Sequence, residues 1–490
     1  MHSPFWNATV KFGPAVIVAV FYVTAVMHYT YTPDDTYIYL QYAKNIAAGN
    51  GFAFNANTPS YGVTGPLWVL MIAAGAKAGI DPFIVAKTLD MLFAGLAIIL
   101  VFTFSAILIK DKVYAFFAAM VVSGDAWFLR WSGSGMETSF AVILVLLAVK
   151  YSYSGDYHIA AFVSGLLTLV RPEGALLFVV LQLESFIVSF VLGRNRRMFW
   201  TAFLVYLLVV LPWVVFSWKT FGQIVPNTEL AKTAVRWSMQ SVMSTMVDSV
   251  QVLGSTQLLM ILLLMVGVPL AIVKGGIGTF IAKAMPVLWV VVLVLGYVVL
   301  NAQVVSRYLV PVTPLIVIYA LWSLKQMEIS FQWSSKKTLV ALCTISLATI
   351  VQNQLVYRIA VVPHMQAFAA GMERGIRPIA VWLHTNSDTQ ASVLTPDIGL
   401  LGYIADRDIF DTAGLVTPSV KRAFNGISYD DGMNRQLYRS VVNPDFVVDR
   451  STTIERLATD SLRPVMTTEF GDLGLRKSGI VFYTLYKATR

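Results

Sequence analysis

Up to about residue 358 the chain alternates long apolar runs with short polar breaks, and the breaks carry most of its charge. Runs long enough to cross about 30 Å of hydrocarbon lie at 12–30, 83–108, 112–128, 136–152, 158–171, 173–192, 198–218, 252–273, 284–302, 307–324 and 338–358. This pattern predicts about eleven transmembrane helices. The stretch 65–80 is apolar but barely long enough, and it contains Lys77. Beyond residue 358 the pattern changes to a helical stretch with Arg374 and Arg377, then short β-like runs at Ala391–Leu394, Phe446–Val448 and Ile480–Tyr486, punctuated by Gly, Pro and Asp turns. The expected fold is a polytopic α-helical membrane protein, residues 1–358, followed by a small α/β soluble domain, 359–490.

Composition agrees. The 490 residues are 57% hydrophobic and 13% charged, with mean hydropathy +0.68. Soluble domains carry roughly 25% charged residues, so about half the usual charge is missing. The net charge of +9 comes from short basic clusters between apolar runs and not from one basic block, which argues against nucleic acid and for a lipid bilayer as partner. Cys343 is the single cysteine, so no intramolecular disulfide forms. The five histidines show no metal-ligand spacing, and no glycine-rich nucleotide motif follows a strand. The first run lacks a convincing cleavage site before Asp34 and reads as an uncleaved span.

Charge also sets orientation. If 65–80 lies in the interface, Lys110 and Lys112, Arg194, Arg196 and Arg197, Lys274 and Lys283, and Lys325, Lys336 and Lys337 all fall on the cytoplasmic side. Making 65–80 a span puts them all outside. On the first topology, Asp34-Asp35, Gly135–Thr138, Arg171–Gly174, Pro226–Thr228 with Lys232, and Arg307-Tyr308 share the external face, which predicts one site built from many loops.

Each motif has two readings. Asp34-Asp35 opens a helical stretch to Ala47, as an N-cap or as a general base whose pKa is raised by its like-charged neighbour. Gly51–Trp68 is a Gly/Asn/Pro-rich loop with Tyr61 and Trp68 at interfacial depth, as belt residues or site lining. Glu137, Arg171 and Glu173 sit at breaks between apolar helices, as a structural ion pair or as functional charges. Arg307 and Lys232 are lipid-phosphate ligands or residues snorkelling to headgroups. Asp397-Ile398-Gly399 and Asp411–Leu415 read as turns closing strands, and Asp406-Arg407-Asp408 as a surface turn without a metal.

These motifs carry a resemblance. DDTYIYLQYAKNIAAGNGFAFN, YGVTGPLW, SGMETSF, RPEG, VPNTELAK, RYLVPVTP and DIGLLGY…IFDTAGLVTP occur in this order along the chain. The series resembles the bacterial GT-C membrane glycosyltransferases, and within them the branch of the mycobacterial β-(1→2) arabinofuranosyltransferases. It departs from that branch at Tyr61–Gly65 and at Gln41, where Arg is common. The resemblance implies a polyprenyl-phosphate sugar donor, an external glycan, lipid or protein acceptor, and a bacterial inner-membrane enzyme whose site and C-terminal domain face the periplasm. Asp34 and Asp35 match the family's catalytic acids, with Asp35 favoured as the base. Tyr61, Glu137, Arg171, Glu173, Asn227, Lys232, Arg307 and Asp397 match substrate-binding motif positions. No cofactor is expected and a divalent cation is optional, because Arg and Lys can carry the phosphate charge. The alternatives are a transporter or flippase of lipid-linked sugars, against which the one-sided charges and the absence of a repeat count, and a structural or sensory protein that binds glycan.

Overall fold

The computed structural model describes residues 4–27, 29–191, 196–228, 238–302, 304–472 and 479–489. The chain forms two compact units. One comprises Met1–Tyr29, Thr88–Trp213 and Val235–Val362; the other comprises Thr30–Lys87, Val214–Ala234 and Pro363–Arg490.

The first unit is helical. Among the described residues, five helices are long and apolar enough to cross a membrane: Pro82–Ile109, Arg196–Phe221, Met239–Lys274, Ser306–Ser330 and Ser335–Asn386. Shorter apolar helices include Lys112–Ser123, Thr138–Tyr153, Tyr157–Val170 and Gly174–Phe190. In an 18-residue apolar stretch of Ser306–Ser330, 94% of the residues are buried within the protein, against 6% in the corresponding stretch of Arg196–Phe221. The first is therefore surrounded by other helices, and the second presents Trp200, Leu204, Leu208 and Leu211 outward, as a lipid-facing helix does.

The expected span 252–273 is not one straight helix. The helical stretch Met239–Val299 breaks at Gln257 (φ −120°, ψ 16°) and at Gly276 (φ 71°, ψ 171°). Carbonyls freed at the first break are taken up by side chains of a neighbouring helix. Gln352 Nε2 donates to the carbonyls of Gly254 (2.9 Å) and Ser255 (2.8 Å), and Asn353 Nδ2 donates to that of Thr256 (2.8 Å). Gln257 Nε2 in turn donates to buried Asp125 Oδ2 at 2.7 Å. Backbone freed in an apolar setting needs such partners. Helical periodicity in 252–273 did not reveal the break because the compensating amides lie almost 100 residues away.

The second unit holds the helices Asp34–Ala47 and Pro66–Lys77 and a five-stranded sheet. Pro66–Lys77 has 12 residues, about 18 Å at 1.5 Å per residue, shorter than a bilayer core. The strands are β1 (Ser392–Thr395), β2 (Asp408–Asp411), β3 (Phe446–Ser451), β4 (Leu462–Asp472) and β5 (Ile480–Ala488), in the order β2-β1-β3-β5-β4. β1 pairs in parallel with β2 and β3, and β5 pairs antiparallel with β3 and β4. The helix Gly399–Ala405 crosses from β1 to β2. The core gathers Leu394, Val420, Phe424, Met433, Tyr438, Val447, Leu457, Leu462 and Tyr486.

Three expected strands correspond to β1, β3 and β5; β2 and β4 went unforeseen. β4 contains Pro464 and shifts register beside it and again near Gly471. Proline removes a ladder donor, and such a strand survives because β4 lies at the sheet edge. β2 spans four residues with an Asp at each end, too short for a periodic signal.

Candidate functional site

Asp34 and Asp35 form the first turn of the helix Asp34–Ala47, whose N-cap is Pro33 without a side-chain cap bond. Both are half-buried. Asp34 caps a different helix. Its Oδ2 accepts the Gly399 N–H at 2.9 Å and its Oδ1 accepts the Leu400 N–H at 2.8 Å, at the start of Gly399–Ala405, which has no side-chain cap of its own. A carboxylate at a helix N-terminus satisfies orphan amides and favours the helix dipole. Gly399 is required by proximity: a Cβ there would collide with the Asp34 backbone oxygen. The capping reading of the pair therefore holds in altered form, with Asp34 capping a helix 365 residues further along the chain.

Asp397 stands immediately before that helix. Its carboxylate accepts from Arg450 Nη1 at 2.9 and 3.0 Å, and from the Tyr483 hydroxyl at 2.7 Å. Arg450 and Tyr483 project from β3 and β5, paired at register Arg450↔Tyr483, so the sheet fixes both donors. Burial pushes the Asp34 carboxyl up to about 7, helped by the charges of Asp397 and Asp35; the two backbone hydrogen bonds pull the other way. Sequence reading missed Arg450 and Tyr483. The sole signal was the alternation of the C-terminal strands, which does not specify partners.

Elsewhere in this unit three resemblance motifs are joined through backbone. The Asn227 N–H donates to the Tyr61 carbonyl (2.8 Å), Asn227 Nδ2 to the Leu415 carbonyl (2.9 Å), and the Thr228 hydroxyl to the Gly62 carbonyl (2.7 Å). Asn227 Oδ1 accepts from Gln223 Nε2 at 2.7 Å. Buried Asp411 holds the partner loop by accepting the N–H groups of Leu415, Val416 and Thr417 at 2.6, 3.1 and 2.8 Å. Tyr61 is buried and stacks on Phe221 with centroids 5.0 Å apart. The Asn227 amide is thus used in joining loops.

In the helical unit, RPEG folds into a tight helix-to-helix link. Arg171 ends Tyr157–Val170 in extended conformation, Glu173 sits at the N-cap of Gly174–Phe186, and a Cβ on Gly174 would lie 2.6 Å from the Thr168 nitrogen. Arg171 donates to Glu137 Oε1 (2.9 Å) and to Glu173 Oε1 (3.1 Å), and the Tyr297 hydroxyl also donates to Glu173 Oε1. Its guanidinium lies over the Tyr308 ring, 5.0 Å from the centroid. Arg307 lies over the rings of Tyr308 (5.2 Å) and Trp131 (5.7 Å). Arg130, which sequence reading passed over, also lies over Trp131 at 5.2 Å. Two carboxylates share one guanidinium here, and the second oxygen of Glu137 is buried with no hydrogen-bond partner among the described residues. The arrangement offers acceptors for hydroxyl groups, while the aromatic-backed Arg residues suit an anion.

Asp90, buried in Pro82–Ile109, was also missed. Its Oδ2 accepts the Gly135 N–H at 3.0 Å and the Ser134 hydroxyl at 3.3 Å, shaping the turn before Glu137. Lys87 on the same helix is buried too and donates to the Tyr31 carbonyl at 2.7 Å. Two charges inside an apolar run were the available signal. Of the expected site residues, Asp34, Asp35, Tyr61, Asn227 and Asp397 belong to one unit and Glu137, Arg171, Glu173 and Arg307 to the other. Lys232 lies outside the described residues. No group of three or more His, Cys, Asp or Glu side chains suited to a metal occurs among the described residues.

Comparison with known proteins supports the fold. A family model described as "Domain of unknown function (DUF8728)" matches residues 364–486. No curated protein matches the sequence. Among solved structures, the chain is similar to ArnT from Cupriavidus metallidurans bound to undecaprenyl phosphate, at 13% identity and TM-score 0.56, over 96% of this chain and 97% of that one. It is likewise similar to the apo form of the same protein, at 13% identity and TM-score 0.58, over 95% and 97% of the two chains. The chain is a multi-pass membrane protein with an ArnT-like fold.

Proposed function

We propose that this protein is an inverting glycosyltransferase that moves a sugar from a polyprenyl-phosphate donor to an acceptor glycan, lipid or protein at the periplasmic face of the bacterial inner membrane. The observation that carries the reading is its likeness, along nearly its whole length, to a protein crystallised with undecaprenyl phosphate. The ordered motifs add to it and favour a pentofuranose such as arabinose as the sugar. Asp35 is assigned the acceptor proton, because the Asp34 carboxylate already holds two backbone amides.

The acceptor oxygen, losing its proton to Asp35, attacks the anomeric carbon opposite the lipid phosphate. The C–O bond to phosphate breaks, and the phosphate leaves with the electron pair, its charge stabilised by cationic side chains. One displacement inverts the anomeric centre. No cofactor enters this scheme. Lys232 is assigned to the phosphate on its motif alone, and Asp397 is assigned to orienting the Asp34 helix contact.

The test is sugar transfer by purified protein in detergent, where vectorial transport has no meaning, using synthetic polyprenyl-phosphate pentose and hexose donors. Asp35→Asn is expected to lower the rate about 10²–10⁴-fold, the range of general-base catalysis, with the fold retained. Full activity of Asp35→Asn overturns the assignment of the base, and no transfer with any lipid-linked donor overturns the reading itself.

A further inference from the structure

We propose that Arg450 and Tyr483, on the C-terminal sheet, are positioning residues for the acid pair Asp34-Asp35, acting through Asp397. On the transferase reading above, on which this rests, the sheet becomes a working part of the transfer site. The connection is short. Asp34 Oδ2 and Oδ1 hold the N–H groups of Gly399 and Leu400 at 2.9 and 2.8 Å, and Asp397 stands two residues before Gly399. Asp35 follows Asp34 in the same helical turn. Whatever fixes the start of Gly399–Ala405 therefore fixes the backbone that carries the base. All of these residues belong to one compact unit.

Asp397 is held from the sheet. Its carboxylate accepts Arg450 Nη1 at 2.9 and 3.0 Å and the Tyr483 hydroxyl at 2.7 Å, which together stop its rotation. The two donors are direct partners across β3 and β5, where opposed side chains stand about 4.5–5.5 Å apart. Each donor is itself held. The Tyr483 side chain is buried, its ring tilted against that of Phe470 with centroids 5.7 Å apart. The Arg450 N–H donates to the Tyr429 hydroxyl at 3.1 Å, and that hydroxyl donates to Asp449 Oδ1 at 2.9 Å. At the end of β1 the Thr395 hydroxyl donates to the Asp397 carbonyl at 3.2 Å, so backbone and side chain of Asp397 are both anchored.

Charge and tolerance decide what this anchoring is for. Asp397 and Asp34 are acids near enough to repel each other, and the guanidinium on Asp397 offsets a repulsion that would push the helix start off Asp34. A general base works only when held within about 0.5 Å of its productive position, and strands hold a group more closely than loops do. A displacement of about 1 Å costs about 10²-fold in rate. A cluster serving the fold alone would change the amount of folded protein and leave the rate per folded molecule as it is.

The test uses the full chain in detergent and two readouts. In sugar transfer, Arg450→Met is expected to lower kcat about 10–100-fold, the size of a displacement of up to about 1 Å, with KM for donor and acceptor unchanged. Arg450→Lys restores the charge without the planar fork and is expected to recover part of that kcat. Tyr483→Phe keeps the ring against Phe470 and removes only the hydroxyl from Asp397, so kcat is expected to fall several-fold. Amide exchange over residues 398–405, followed by mass spectrometry, is expected to quicken in Arg450→Met and Tyr483→Phe and to return toward wild type in Arg450→Lys, while the helix Tyr157–Val170 keeps its wild-type exchange. Wild-type exchange over 398–405 in both Arg450→Met and Tyr483→Phe overturns the proposal, as does a wild-type kcat in both. A raised KM with unchanged kcat overturns it as well, because Arg450 would then bind a substrate directly. If the wild-type chain transfers no sugar while exchange responds as expected, the transferase reading fails and the hold of the sheet on the acid pair stands.

Discussion

Asp34→Asn probes how the N-terminal end of the helix Asp34–Ala47 is held. In the native protein both carboxylate oxygens accept backbone amides, from Gly399 and Leu400. Asparagine has one acceptor oxygen, so one of these amides is left facing an NH₂ group. Losing a buried partner of this kind costs about 1–3 kcal/mol. A second contribution depends on pH. Burial pushes the Asp34 carboxyl up to about 7 in the folded state, against an ordinary value of 3.8. Between those values the folded state holds a proton that the unfolded state has released, so the contribution of Asp34 to stability, full below the unfolded pKa, is lost as pH rises through 7. From pH 5 to pH 8 that amounts to about 3 kcal/mol, at about 1.4 kcal/mol per unit over two units. The variant lacks this dependence. Thermal unfolding of wild type and Asp34→Asn in detergent, compared from pH 5 to pH 8, is therefore expected to show the variant clearly less stable at pH 5 and the gap closing or reversing by pH 8. Parallel curves across that range would refute the placement of Asp34 as a half-buried cap of the helix Gly399–Ala405.

Further outcomes follow from the same contacts. Arg450→Met removes the cation that neutralises Asp397, leaving Asp397 to repel Asp34 more strongly; the pH at which wild-type-like stability falls is expected to move upward, and an unmoved midpoint argues against their coupling. Gly399→Ala forces a Cβ into the Asp34 backbone oxygen and is expected to lower both Tm and transfer, whereas a variant as stable as wild type would show that this contact is looser than described. Arg171→Met leaves buried Glu137 and partly buried Glu173 without their shared cation and is expected to cost about 3–5 kcal/mol, read as reduced Tm and yield. The double variant Glu137→Gln with Arg171→Met should recover part of that loss, since one buried charge is removed with its partner.

The apolar runs, the change of composition near residue 358 and three of the five strands were legible in the order of residues, because burial in lipid or in a sheet imposes a local period that a sequence displays directly. The grouping of acids and bases at helix breaks was legible for the same reason: a charge inside an apolar stretch is expensive and stands out. Asp90 and Lys87 met that criterion and were overlooked within the run 83–108. What Asp34 does was not legible. Its role as a cap depends on the amides of Gly399 and Leu400, and no local rule links residues so far apart. The break at Gln257 is similar, since its carbonyls are satisfied by Gln352 and Asn353 on another helix. Propensity and periodicity are properties of neighbours along the chain, and they determined the elements. Hydrogen-bond partners and buried charge pairs are properties of neighbours in space, and only the tertiary structure decided that Asp34 caps a helix 365 residues further along the chain.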